Sequence, residues 1–207
     1  ISNISRNANE PLPPIDRDKI RSFNINTARG CPFRCTFCYH VFADQKYRWR
    51  NPKSIIEEMH FLNSNYGINL FIFHDELTFF SAKQADEFAT ALLDSNLKVY
   101  YSADCRAGIF YQDAHVEVAR NLKNSGCLSL AYSLETTSPE ILKWMNKKTT
   151  PEQFSKQREI LEQAGIATLT SLVLGYPNET RESIRLTLQC CLDNGIYPSS
   201  GYLLPQP

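Results

Sequence analysis

The segment Cys31-Pro32-Phe33-Arg34-Cys35-Thr36-Phe37-Cys38 follows directly on an apolar stretch, residues 22–28, that reads as a β-strand. Three thiols spaced C-x3-C-x2-C on one short loop can ligate three irons of a 4Fe-4S cluster and leave the fourth iron without a protein ligand. Electron-carrier clusters normally take four thiolates, so a compact set of three points to a cluster that binds a small molecule at its open iron. Zinc is the plain alternative, because His40 stands two residues past Cys38 and Cys3His is a recognised structural set. A ligand that near must bend back sharply, and zinc sites usually draw their second ligand pair from further along the chain. A ferredoxin fits less well, since its bacterial and plant spacings each differ from this one by a residue. Cys105, Cys127 and the Cys190-Cys191 pair lie in apolar surroundings, where free cysteine packs as a small hydrophobe. The seven cysteines therefore indicate a reducing, cytoplasmic setting rather than a disulfide framework.

The strand before the cysteines is the first of a series. Apolar, β-branched or aromatic runs recur near 22–28, 69–74, 98–103, 128–134, 167–174 and 198–204, with amphipathic stretches of helical length between most of them. Asn51-Pro52, Ser138-Pro139 and Thr150-Pro151 place a capping side chain before a first-turn proline, and Ser81 caps a further helix. Helix ends fall at Gly67-Ile68, Gly126-Cys127, Gly165-Ile166 and Gly195-Ile196, as expected where a left-handed residue feeds the next strand. Strands alternating with crossover helices make a parallel sheet, so the chain reads as α/β, and six such units form a partial (βα)6 TIM-like barrel with outer helices. Residues 1–22, with Pro11, Pro13 and Pro14, read as an N-terminal linker or strap, and 23–207 as one core domain.

Composition narrows the function. A chain of 207 residues with 43% hydrophobic content can bury a sizeable core. Lys plus Arg and Asp plus Glu number 22 each, which offers neither a basic nucleic-acid face nor an acidic tail. No apolar run is long enough for a bilayer and no basic-then-apolar leader stands at the start. The chain starts at Ile1 and stops at Pro207 just after an apolar segment, which reads as a piece cut from a longer protein.

C-x3-C-x2-C with an aromatic residue, Phe37, directly before the last cysteine resembles the signature of radical S-adenosylmethionine (SAM) enzymes. That resemblance implies a half-open six-stranded barrel over nearly everything from Phe23 onward, with a 4Fe-4S cluster on Cys31, Cys35 and Cys38. It further implies that SAM binds the free iron through its amine and carboxylate and is cleaved reductively to a deoxyadenosyl radical. An electron donor such as flavodoxin or ferredoxin is implied as well. The opening residues are similar to the segment that joins a cobalamin-binding domain to the barrel in the cobalamin-dependent subclass, which implies cobalamin held by a domain outside this chain.

Barrels of this kind keep their chemistry at the C-terminal strand ends. The second run ends at His74-Asp75-Glu76, where the family holds the SAM ammonium with a motif that is often Gly-Gly-Glu. The glycines are absent here, so the resemblance assigns the role to Asp75, to Glu76 or to backbone carbonyls, with Asp75 favoured; the plain reading is that the acids cap the next helix. Arg106, after the third strand, suits a carboxylate of SAM or substrate, or else a surface salt bridge. Ser133-Leu134-Glu135-Thr136-Thr137-Ser138 resembles the family pattern Gly-Ile-Glu-Ser-Gly-Ser, with Thr136-Thr137 in place of its Gly-Ser, which assigns Glu135, with Ser133 beside it, to the ribose hydroxyls. Gly175-Tyr176-Pro177-Asn178-Glu179-Thr180 resembles Gly-x-Pro-Gly-Glu-Thr: Leu172 to Leu174 would pack on adenine, while Glu179 and Thr180 start a helix. The last run, to Pro205, is similar to the strand whose backbone recognises adenine.

The expected function is thus a radical SAM core that binds a 4Fe-4S cluster and cleaves SAM, with the substrate and the residues that handle it open. The alternatives are a non-catalytic iron-sulfur or zinc-binding module, and a core inactive without its flanking segments. His40 separates cluster from zinc: a tetrahedral zinc site needs all four ligands, so His40→Ala should leave the iron-sulfur absorption of reconstituted protein unchanged. Loss of that absorption would point to a four-ligand site.

Overall fold

The structure, a computed structural model, describes residues 16–39 and 46–203. His40, the N-terminal prolines and Pro205 lie outside the described residues. A 3-10 turn at Arg17–Lys19 leads into β1 (Ser22–Ile25), and β2 (Ala28–Arg29) pairs antiparallel with β3 (Arg48–Trp49). There follow α1 (Pro52–Tyr66), β4 (Leu70–Phe73), α2 (Ala82–Asp94), β5 (Tyr100–Asp104), α3 (His115–Asn124) and β6 (Cys127–Ala131). The rest comprises α4 (Pro139–Trp144), α5 (Pro151–Gln163), β7 (Ala167–Leu169), β8 (Ser171–Leu174), α6 (Arg181–Asp193) and β9 (Ser199–Tyr202). Five strands form a parallel sheet in the order β1-β4-β5-β6-β7, and β8 and β9 form a parallel pair, joined to the end of the main sheet by an isolated bridge between Glu135 and Leu172.

The expected helix starts are present. Asn51 Oδ1 accepts the Lys53 amide at 2.9 Å, Ser81 caps α2, and Thr150 with Gln153 forms a complete capping box. Gly67 ends α1 in the left-handed region at φ 67°, where a Cβ would be strained.

Two runs read as single strands are divided. The first stops at Ile25, because the turn at Asn26-Thr27 is held by Asp75 and hands the chain to the β2–β3 hairpin. The fifth is interrupted at Thr170, which is buried: its hydroxyl accepts the Leu134 amide at 3.3 Å and its carbonyl accepts the Ser199 amide at 2.9 Å. A side chain that bonds a neighbouring backbone breaks the ladder locally and redirects β8 towards β9.

Strand alternation puts Phe71, Phe73, Tyr101 and Ala103 on the helix-covered face, all nearly free of solvent. The Phe73 and Tyr101 rings stack at 5.1 Å, and Phe88 of α2 meets them edge-on at 5.4 and 5.3 Å. The Tyr101 hydroxyl finds Ser125 Oγ at 2.8 Å, so this aromatic centre holds no orphan polar group. The opposite face carries Ser102, Ser129, Ser133 and Ser171, which bond in pairs at 2.9 Å (Ser129 to Ser102) and 2.7 Å (Ser133 with Ser171). Small polar side chains cannot fill that face, and a cavity of about 340 Å³ lies near its C-terminal end. Because Phe88 is fully enclosed by the aromatic centre, Phe88→Ala should destabilise the fold by about 3–5 kcal/mol in urea titrations.

Candidate functional site

Gly30, at φ 77°, turns the chain out of β2, and its amide donates to Glu76 Oε2 at 3.1 Å, which fixes the start of the cysteine loop against the end of β4. Inside the loop the Cys38 amide closes a turn on the Cys35 carbonyl at 3.0 Å. Cys35 is buried, Cys31 and Cys38 are half-buried, and all three are free thiols. Burial pushes the Cys31 thiol up; a backbone hydrogen bond from Phe33 opposes this, the nearby Cys35 and Cys38 add to the rise, and Arg106 counters it. Among the described residues no three His, Cys, Asp or Glu side chains converge closely enough to share one metal ion. Three free thiols on one loop are a donor set that could hold three irons of a 4Fe-4S cluster.

The segment after α4 grips this loop from outside. Thr36 donates its amide to the Met145 carbonyl at 3.0 Å and its hydroxyl to the Trp144 carbonyl at 2.9 Å. Asn146 donates through Nδ2 to the Arg34 carbonyl at 2.9 Å. Tyr176 adds a hydroxyl contact to Thr36. On the other flank Phe33 packs against Phe80, and the Arg106 guanidinium lies 3.7 Å from the Phe33 ring centre. Arg106 Nη2 is buried with no hydrogen-bond partner among the described residues.

The two acids after β4 take different surroundings. Asp75 accepts from the Thr27 amide at 2.9 Å and the Thr78 hydroxyl at 3.0 Å, and also from the Thr27 hydroxyl, so protein donors occupy both its oxygens. Glu76 bonds Gly30 and lines the cavity together with Asp104, Cys105, Ser133, Ser171 and Ser199. Neither acid caps α2, a role held by Ser81. Glu179 bonds back to the Gly175 amide and Thr180 caps α6, as expected of a helix start. Leu174 is half-buried, with its carbonyl accepting the Leu203 amide at 2.7 Å, and is not part of the cavity lining.

Glu135 is 4% exposed, with its backbone in the left-handed region at φ 67°. Its Oε1 accepts Lys147 Nζ at 2.8 Å, while Oε2 is buried without a partner among the described residues. Lys147 Nζ also lies 5.7 Å from the centre of the Phe37 ring in the cysteine loop. Lys147 escaped the sequence reading because Asn146-Lys147-Lys148 looks like an exposed polar turn. Asp104 escaped it too, although its place at a strand end two residues before Arg106 was a usable signal.

Burial raises the Asp104 carboxyl from 3.8 to about 6, the negative charge of Asp75 adding to the rise and His74 opposing it. The folded protein thus holds this proton more tightly than the unfolded chain does, and stability falls as pH climbs through that window. Asp104→Asn should stabilise the protein at pH 8 by about 1–2 kcal/mol, after discounting for partial solvent contact, and change little at pH 4. Denaturation at both pH values checks this; equal effects would contradict it.

The model of the Radical SAM superfamily matches residues 25–191. An uncharacterised methyltransferase of Pyrococcus horikoshii is 30% identical over 181 residues, which is 86% of this chain and 38% of that protein. The anaerobic magnesium-protoporphyrin IX monomethyl ester cyclase of Rubrivivax gelatinosus is 29% identical over 168 residues, covering 81% of this chain and 30% of the cyclase. The chain therefore spans about a third of the length of these relatives. Among solved structures, the radical SAM methyltransferase TsrM of Kitasatospora setae, with tryptophan and a SAM analogue bound, superposes with a TM-score of 0.76 at 20% identity, over 88% of this chain and 35% of its own. The cysteine loop at the rim of a parallel α/β sheet and the family match over most of its length agree: this chain belongs to the radical SAM superfamily, enzymes that work with a 4Fe-4S cluster and SAM.

Proposed function

We propose that residues 23–207 form the SAM-cleaving core of a larger enzyme, with the cluster held by Cys31, Cys35 and Cys38 and SAM bound beside it. The observation that carries this reading is a pair of orphaned buried atoms flanking the loop: Nη2 of the cation Arg106 and Oε2 of the anion Glu135. Buried polar atoms of charged groups without partners are unfavourable, and a ligand offering a carboxylate and vicinal hydroxyls would satisfy both. SAM offers both groups.

In this assignment Arg106 pairs with the SAM carboxylate and Glu135 accepts from the ribose, with Ser133 close by. Glu76, rather than the fully engaged Asp75, faces the ammonium, and Leu174 packs on adenine. Phe37 shields the loop. When bound, the cluster supplies the electron that cleaves the sulfonium reductively. The protein's own task is to orient the nucleoside and to exclude water from a reactive product. An electron donor such as flavodoxin or ferredoxin would deliver the electron in a reducing cytoplasm, consistent with seven free thiols. TsrM has been solved with cobalamin and a 4Fe-4S cluster, which supports cobalamin on a domain outside this chain and methyl transfer as the reaction class.

Anaerobic reconstitution should load about one cluster per chain, and Cys31→Ala, Cys35→Ala or Cys38→Ala should each abolish it, whereas Cys105→Ala and Cys127→Ala should not. Glu135→Ala should keep the cluster and weaken SAM binding by about 1.5–3 kcal/mol, or roughly ten- to a hundred-fold. The electron paramagnetic resonance of the reduced cluster, titrated with SAM, reads both effects. A wild-type signal that SAM leaves unperturbed defeats the proposal.

A further inference from the structure

We infer that Lys147 is a positioning residue for SAM, acting through Glu135, and that the segment after α4 ties this carboxylate to the cysteine loop. The inference rests on the reading of Glu135 as the ribose acceptor. Lysine is almost never buried unless paired, and the Lys147 side chain is 10% exposed against 4% for Glu135, at 2.8 Å. The pair leaves one carboxylate oxygen, Oε2, as the acceptor not used by the protein. Without the ammonium, both oxygens of a buried carboxylate would lack a partner, and the side chain would turn towards other donors.

Neighbouring residues tie the loop to the same segment. Asn146 bonds the Arg34 carbonyl at 2.9 Å, and the carbonyls of Trp144 and Met145 receive Thr36 at 2.9 and 3.0 Å. Asn146 and Lys148 both adopt left-handed backbone, at φ 50° and 44°, so the chain bends on either side of Lys147. Asn146 thus reaches the cysteine loop while Lys147, the next residue, reaches Glu135. One short segment fixes the distance between the cluster ligands and the ribose acceptor.

The test combines cluster content, from iron analysis and absorption, with SAM affinity, from the resonance titration, in reconstituted protein. Lys147→Met should keep the cluster and weaken SAM binding roughly tenfold, and Lys147→Arg should recover most of that loss. Glu135→Gln and the double variant Lys147→Met/Glu135→Gln should bind SAM equally weakly, because Lys147 acts only through Glu135. Asn146→Ala should lose iron faster to a chelator while the loaded fraction binds SAM normally. Normal SAM affinity in Lys147→Met overturns the inference, as does a double variant clearly weaker than Glu135→Gln, which would make Lys147 a direct ligand. Should Lys147→Met not fold, Lys147→Gln takes its place, with a several-fold loss of SAM affinity expected and normal affinity again overturning the inference. Wild-type protein that ignores SAM overturns both this inference and the proposed function, whereas a normal wild-type response with normal Lys147→Met binding overturns this inference alone.

Discussion

The parallel direction of β1, β4, β5, β6 and β7 is the constraint on which the rest depends. Parallel neighbours need a crossover after every strand, so every strand ends at the same rim and every connection leaves from it. The cysteine loop, Glu76, Arg106 and Glu135 are spread over about half of the chain, yet each stands at one of these ends or in the hairpin beside it. The crossovers also place their apolar faces on one side only. Phe71, Phe73 and Tyr101 fill that side, and serines are left on the other, where their size permits a hollow. Side-chain volume, more than backbone geometry, makes the space a ligand would use.

Charge in this protein matters locally, since its totals cancel. Asp75 works as a latch: it gathers Thr27 and Thr78 and so holds the entry to the cysteine loop against the end of β4. Arg106 rests on the Phe33 face, an arrangement worth about 0.5–2 kcal/mol according to how far it is desolvated. The Glu135–Lys147 pair is of another kind. Replacing such a buried pair with apolar residues is often neutral or stabilising, whereas removing one partner costs about 3–5 kcal/mol. Stability alone therefore gives little reason to keep it, and its place beside Phe37 of the cysteine loop gives a better one.

Much of the architecture was legible in the chain itself. Asn51-Pro52, Ser138-Pro139 and Thr150-Pro151 start helices because capping and fixed proline geometry act over a few residues, and Gly67 ends one because only glycine adopts that conformation freely. The C-x3-C-x2-C spacing was equally plain to see, because it lies within eight consecutive residues. The division of the fifth run at Thr170 was not, since it depends on the Leu134 and Ser199 amides, which are distant in sequence.

The site follows the same rule. Which residue types stand at the strand ends is written in the chain: three thiols, Asp75 with Glu76, Arg106 and Glu135. Their states depend on the folded surroundings. Asp75 is occupied because Thr27 folds back onto it, the Asp104 carboxyl is pushed up to about 6 by burial and the nearby Asp75, and among the described residues Glu135 keeps one free oxygen because Lys147 reaches it across a turn that reads as exposed. The reason is physical: identity and spacing along a chain set local conformation, but desolvation and hydrogen-bond occupancy belong to neighbours in space, and those exist only once the sheet has formed.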